Sequence, residues 1–452
     1  MKQRPAKLAV ALTLLCAGAI ASPASANDKV SQFKLKNGME IVVIEDHRAP
    51  VVEQMIWYRA GSADEKPGVS GVAHFLEHLM FKATDNMASG ELSKVVARNG
   101  GSDNAFTTFD YTAYYQRVAV DRLPLMMKME ADRMMNLKLT EADIASERNV
   151  IIEERNMRIE NNPTALFREQ KSAAQYLNSH YGIPVIGWKR EMSKLSRADA
   201  LAFYKRFYAP NNAVLVVAGD VEPDAVRALA EKYYGPLKPN PDLKPRNRPQ
   251  EPRQMGERRI MFHDARVAQP YVSRSYLAPE RNHDAQEKAA ALVLLAELLG
   301  GGQTSWLNEK LQFEKHLVVH TGAYYSGTSL DATTFHLVAV PADGVSLQEV
   351  EDAMDAALKD FFAKGIDSAQ LKRIKFQLRA SQIYASDDVD RLANRYGSAL
   401  TQGLTVEDVQ AWPDILQNVT EEQILAAGHE VLKRNNSVTG WLMGKADKAV
   451  TQ

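Results

Sequence analysis

His74, Glu77 and His78 form an H-x-x-E-H string in a stretch where Val72, Phe75, Leu76, Leu79 and Met80 recur at i, i+3, i+4, i+7 and i+8, the period of one helical face. On a helix expected over residues 72–81, with Ser70 as its N-cap, His78 stands about 40° from His74, and Glu77 about 60° from it on the other side. Two imidazoles one turn apart can grip one Zn²⁺. The carboxylate beside them can take a proton from a water at that ion and deliver it to a leaving amine. With 10 His in 452 residues, chance produces this string in only about one or two such chains in a hundred, so a decorated solvent face is the weaker reading.

A catalytic zinc takes three protein ligands and keeps a fourth position for water, so a further ligand must come from elsewhere. Thr140 and Asp143 read as a capping box that opens a helix expected over residues 141–160. On that helix Glu147 and Glu154, seven residues apart, lie within about 20° of each other. Taken by themselves they are ordinary surface glutamates, and the residues alone leave the third ligand open. His316 and His320 are also four apart but have no interior glutamate, so no second metal site is expected. Residues 300–305, GGGQTS, lack a following lysine and read as a helix-ending turn, not a phosphate loop.

These residues need a framework. Two strands around Asn37-Gly38, a third over 51–58, helices over 72–81, 91–98, 123–136 and 141–160, and a strand over 112–120 are expected in the first half, which closes on a buried strand within 212–221. Six prolines between Pro236 and Pro252 mark a semi-extended linker. The second half repeats the order, with strands over 259–263 and 272–277, a helix over 284–299, and helices to Arg434. Asn211-Asn212-Ala213-Val214 and Asn435-Asn436-Ser437-Val438 both lead a helix into a terminal strand at an offset of 224 residues, as a duplication would. The division expected is a leader over 1–26, a first domain over 27–234, a linker over 235–257, a second domain over 258–446 and a tail over 447–452.

Lys2, Arg4 and Lys7 precede an apolar run from Leu8 to Ala21, followed by Ala24-Ser25-Ala26, the pattern of a cleavable secretory signal. The run is too short for a membrane span, which needs about 20 residues. Cys16, the only cysteine, falls in that segment, so thiol chemistry and disulfides are excluded from the mature chain. A cysteine-free exported chain suggests a bacterial periplasm. Without residues 1–26 the chain has 52 basic and 56 acidic residues, against 55 and 56 with them, which gives no electrostatic footprint for nucleic acid.

The H-x-x-E-H helix followed 76 residues after His78 by Glu154, within Glu147-Arg148-Asn149-Val150-Ile151-Ile152-Glu153-Glu154, resembles the inverted-zincin peptidases of the pitrilysin, insulinase and mitochondrial-processing-peptidase family, M16. Asn37-Gly38, residues 74–84, Gly100-Gly101 with residues 104–107, residues 208–212 and residues 299–302 stand in family order. The resemblance implies two homologous α+β halves, each a mixed or antiparallel sheet with helices packed on it, in a LuxS/MPP-like metallohydrolase clamshell with one zinc on the first half. It implies Glu154 as third ligand, with Glu153 the poorer choice, and Glu147 as the residue that orients the site. It also implies that Asn104, Ala105, Phe106 and Thr107 form an edge strand that pairs with an extended peptide. One departure stands out. Where the family often carries an arginine and a tyrosine seven apart in the second half or a partner subunit, this chain has Gln312 and Val319, which can supply neither the charge nor the hydroxyl donor. The expectation is a periplasmic zinc endopeptidase acting on peptides or unfolded segments, paired with a homologous subunit that carries R-x6-Y. A non-catalytic, chaperone-like scaffold and a self-sufficient homodimer are the alternatives.

Overall fold

The structure, a computed structural model, describes residues 30–444; the expected leader, Cys16 and the tail lie outside the described residues. The first half runs β1 (Val30–Lys34), β2 (Glu40–Glu45), β3 (Val51–Tyr58), α1 (Val72–Leu79), α2 (Glu91–Arg98), β4 (Ser102–Thr107), β5 (Thr112–Ala119), α3 (Leu123–Met135), α4 (Glu141–Arg155), α5 (Pro163–Gln175), α6 (Lys189–Met192), α7 (Arg197–Phe207), β6 (Ala213–Gly219) and α8 (Pro223–Tyr233). The second half runs β7 (Arg258–His263), β8 (Tyr271–Ala278), α9 (Glu287–Gly300), β9 (Val318–Tyr325), β10 (Thr333–Pro341), α10 (Leu347–Lys364), α11 (Ser368–Ser386), α12 (Val389–Thr401), α13 (Val406–Asn418), α14 (Glu421–Val431) and β11 (Ser437–Met443).

The first sheet has the order β1-β2-β6-β3-β5-β4 and the second β7-β11-β8-β10-β9. Apart from β1 the two orders are equivalent, and each sheet has one parallel pair, β2 with β6 and β7 with β11, among antiparallel neighbours. The fold is α+β in two similar halves. β6 sits between β2 and β3 and is buried at every residue, which is why AVLVVAG reads as a continuous apolar run without alternation. β4 is the edge of the first sheet.

One face of each sheet carries its own helices over a large core: β1–β6 with α1, α3, α4 and α7 in the first half, β8–β10 with α9, α10 and α14 in the second. The other faces are covered by exchange. α12, from the second half, lies over Val42, Met55, Trp57, Val214 and Val216 of the first sheet. α5, from the first half, lies against β7 and β11 of the second. Both crossings are close because each offers a glycine. A Cβ at Gly397 would lie 2.0 Å from the Trp57 ring, and one at Gly440 would lie 2.5 Å from Phe167. The segment over 235–257 contains neither helix nor strand, yet it is pinned. Buried Arg248 pairs with Asp64 and Asp110 of the first half at 2.8 and 2.6 Å and with Asp331 of the second at 3.0 Å.

Several helix limits differ from the sequence expectation. The helix expected from residue 284 starts at Glu287, since Asp284 takes a left-handed φ of 61°. The one expected to Phe81 ends at Leu79. The one expected to residue 160 is α-helical only to Arg155 and widens into a π-helical turn over Asn156–Glu160, a form often found beside functional sites.

Candidate active site

α1 starts at an N-cap different from the expected one. Gly71 caps it in a left-handed conformation, φ 87°, where a Cβ would lie 2.5 Å from the Ile186 carbonyl oxygen. Glycine is therefore required twice over. Ser70 instead accepts the Trp188 N–H on its hydroxyl. The first-turn donors of α1 go to Glu65, whose carboxylate accepts from Gly71 N and Ala73 N, both at 2.8 Å. No spacing rule singles out Glu65, because the cap reaches back across a turn from outside the helix.

α4 opens on the expected capping box of Thr140 and Asp143 and packs against α1. That packing brings His74 and His78 to Glu154: both Nε2 atoms lie 3.4 Å from Glu154 Oε2. This oxygen is buried and makes no hydrogen bond of good geometry. The three ligand atoms lie within 4.8 Å of one another. Metal–ligand bonds of about 2.0–2.1 Å at tetrahedral angles put ligand atoms about 3.4 Å apart, so the donor set fits one Zn²⁺. His316 and His320 join no such cluster among the described residues.

The surrounding groups fall into place around that trio. Glu147 Oε1 lies 3.1 Å from His78 Nδ1, and its other oxygen pairs with Lys82 at 2.5 Å. Glu154 Oε1 pairs with Arg158 at 2.7 Å, one turn on in the π-helical segment. Lys82 and Arg158 were not anticipated; each sits one turn past a recognised residue, a signal too common to be distinctive. Glu153 is exposed and accepts from Asn156, away from the histidines. Glu77, 9% exposed, accepts a 2.5 Å bond from the Thr107 hydroxyl of β4. Of the other three edge-strand residues, Ala105 packs on the α1 side with Thr107, while Phe106 turns to the opposite face against Trp57, as strand alternation requires; Asn104 alternates with Ala105.

The electrostatics are sharply divided. Burial, helped by the neighbouring His78, pushes His74 down to about 4, which leaves it the free base that a metal needs. Burial also works against the charged form of His78, but Glu147 and Glu154 overcome it and hold that ring at about 9. Glu154 is held down chiefly by His78, and Glu147 is held down by His78 and Lys82 against the opposing effect of burial. Burial raises Glu77, the direction that suits a group meant to exchange protons near neutrality. The Gln312 amide donates to the Val319 carbonyl at 3.3 Å.

Residues 40–188 match the family described as Insulinase (Peptidase family M16), and residues 194–378 match the Peptidase M16 inactive domain. The chain is 30% identical over 426 residues to the zinc protease PqqE of Helicobacter pylori, covering 92% of this chain and 93% of that protein. Its fold superposes on the crystal structure of a protease from Helicobacter pylori with a TM-score of 0.86 at 28% identity, over 92% of this chain and all of the other. It shares the fold of the periplasmic protease PqqL from Escherichia coli with a TM-score of 0.80 at 20% identity, over 92% of this chain and 48% of that one. Among the described residues no helix is long and apolar enough to cross a membrane.

Proposed function

The chain belongs to peptidase family M16, and from that premise we propose that it is a zinc-dependent endopeptidase of the periplasm that hydrolyses peptides or unfolded protein segments. The observation that carries this reading is the convergence of His74 Nε2, His78 Nε2 and Glu154 Oε2 beside Glu77. Those three atoms would hold one zinc per chain, and zinc so held supplies Lewis acidity toward a water and a peptide carbonyl. Glu77 accepts the proton of the attacking water and returns it to the leaving amine. Thr107, donating to one Glu77 oxygen, leaves the other free for that exchange. Glu147 fixes the His78 ring by receiving its Nδ1 side, and Lys82 fixes Glu147. β4, the sheet edge, offers along residues 102–107 a rim of backbone groups on which an extended peptide can lie. The export pattern over residues 1–26 supports the periplasmic location.

The test is metal content together with peptidase activity. Glu77→Gln should retain zinc and lose about 10²–10⁴ in rate. A wild-type chain that, with any required partner, takes up no zinc and cleaves nothing in a broad peptide library would sink the proposal. A scaffold role would be favoured if Glu77→Gln kept full biological function.

The partner is the second part of the proposal. Gln312 lacks the positive charge, its amide donates to the Val319 carbonyl, and the Val319 side chain has no donor, so a homologous subunit carrying R-x6-Y completes the site in a heterodimer. The rate of the isolated chain should rise by about 10²–10³ on reconstitution, the cost typical of one missing oxyanion donor. Equal rates for the chain alone and the pair would favour a self-sufficient homodimer.

A further inference from the structure

The face of the second sheet covered by α5 differs in chemistry from its counterpart. On the first sheet, Met55 and Trp57 of β3 meet Leu392, Ala393, Tyr396 and Leu400 of α12 in an apolar layer. On the second, the register opposes Ser275 of β8 to His336 of β10, with Thr334 two residues along on the same face. Lys171 of α5, its stem passing over Gly440, reaches Ser275 Oγ at 2.6 Å. Ser275 donates onward to Gln175 at 2.7 Å, and Thr334 Oγ1 lies 2.5 Å from His336 Nε2. A cavity of about 380 Å³ opens beside this group, between the two halves. It is large enough for about a dozen waters at about 30 Å³ each.

Lys171 is 5% exposed, and among the described residues it forms no ion pair and has Ser275 as its one hydrogen-bond partner. Buried ammonium groups are otherwise paired, because an unpaired one loses its hydration without return. The carboxylate in the cavity wall, Asp110, is already committed to Arg248 at 2.6 Å, to the Tyr181 hydroxyl at 2.7 Å and to Gln402 at 2.8 Å. Burial alone lowers Lys171 to about 7, and burial, helped by the Lys171 charge, lowers His336 to about 3. The wall thus presents one buried amine without a counter-charge, which a bound anion would hold in its charged form, a neutral imidazole and several hydroxyls.

We propose that this inter-half cavity is a binding site for a small oxyanion, a carboxylate or phosphate group, held by Lys171 with Ser275, Thr334 and His336. The anion stands where the missing counter-charge would be, and because α5 belongs to one half and β8 and β10 to the other, it braces the two together. Two sources carry that chemistry. One is a free anion. The other is the C-terminal carboxylate of a peptide on β4, since residues 108–111, directly after the Thr107 that meets Glu77, line the cavity; this source alone rests on the peptidase reading.

The experiment has two arms on the full chain. In the first, thermal unfolding is followed with inorganic phosphate or acetate against sodium chloride at matched ionic strength. The wild type should shift upward by about 2 °C or more, and Lys171→Met, which keeps the stem and removes the charge, should not. In the second, the Glu77→Gln chain is titrated with peptide pairs that differ only in a free or amidated C-terminus. The acid should bind about 10-fold tighter, and Lys171→Met should erase the difference. A response in the first arm assigns a free anion, and a response in the second a peptide terminus. Either supports the site without requiring catalysis. If Lys171→Met fails to fold, the wild-type responses decide, with Ser275→Ala expected to weaken them. Absence of any wild-type response in both arms, or an equal response from Lys171→Met, overturns the proposal.

Discussion

Glu147 is the residue whose surroundings say most about its work. It is 9% exposed, one oxygen faces His78 and the other Lys82, and it lies two turns before Glu154 on the same face of α4. A carboxylate so placed fixes the ring plane of His78 and raises its basicity as a ligand. Glu147→Gln keeps the shape but loses the charge that both partners need. Zinc affinity, measured by competition with a chelator, should fall by about 10–100-fold. Unchanged affinity would show that Glu147 only balances Lys82. At this scale the sequence was legible where chemistry and period coincide: His74, Glu77 and His78 share one turn of one helix, and spacing alone places them together. Glu65, Lys82 and Arg158 were not legible, because a capping or pairing carboxylate is defined by what it meets after folding.

Among the elements, β3 shows how a position can violate its pattern for a reason set elsewhere. Val51, Glu53, Met55 and Trp57 alternate toward the face covered by α12, and Glu53 is buried at 4% exposure among apolar neighbours. Burial raises its carboxyl to about 8; Asp390, near the start of α12, pushes the same way, and Arg117, its cross-strand neighbour, opposes. The folded state therefore holds this proton more tightly than the unfolded chain, whose carboxyl titrates near 4.5. The sign follows: Glu53 costs nothing below that pH, and its contribution to stability falls progressively as pH rises from about 4.5 to 8. Glu53→Gln should remove that slope. Its denaturation midpoint should match the wild type near the acid end and exceed it increasingly toward pH 8. Parallel curves for the two proteins across that range would count against a neutral, buried Glu53.

For the molecule as a whole, the halves are joined by exchange of helices and by polar contacts that include the buried Arg248 guanidinium. Arg248 lies in the proline-rich segment, where composition suggests a solvated spacer, yet its side chain is 5% exposed and meets Asp64, Asp110 and Asp331. Arg248→Met would strand three carboxylates in a buried setting. The expected loss is about 3–5 kcal/mol, the range for removing one member of a buried ion network, read by calorimetry of the full chain. A transition temperature equal to the wild type's would mean that α5 and α12 hold the halves together without it.

The sequence by itself determined what local period and short-range spacing can carry: the strands β1 to β3, β5 and β6, the helices α1 to α4, the string of His74, Glu77 and His78 on one of them, the capped start of α4, and the 224-residue echo that the two sheet orders repeat. Each is a property of a few consecutive residues, so no distant contact is needed to read it. Tertiary structure decided the rest. The packing of α4 on α1 brings Glu154 to the histidines from 76 residues away, the Glu65 carboxylate replaces the expected Ser70 cap, and the crossing of α5 onto the second sheet buries Lys171 beside His336. These depend on which faces meet, and two residues far apart in the chain acquire a common environment only when the surfaces between them have packed.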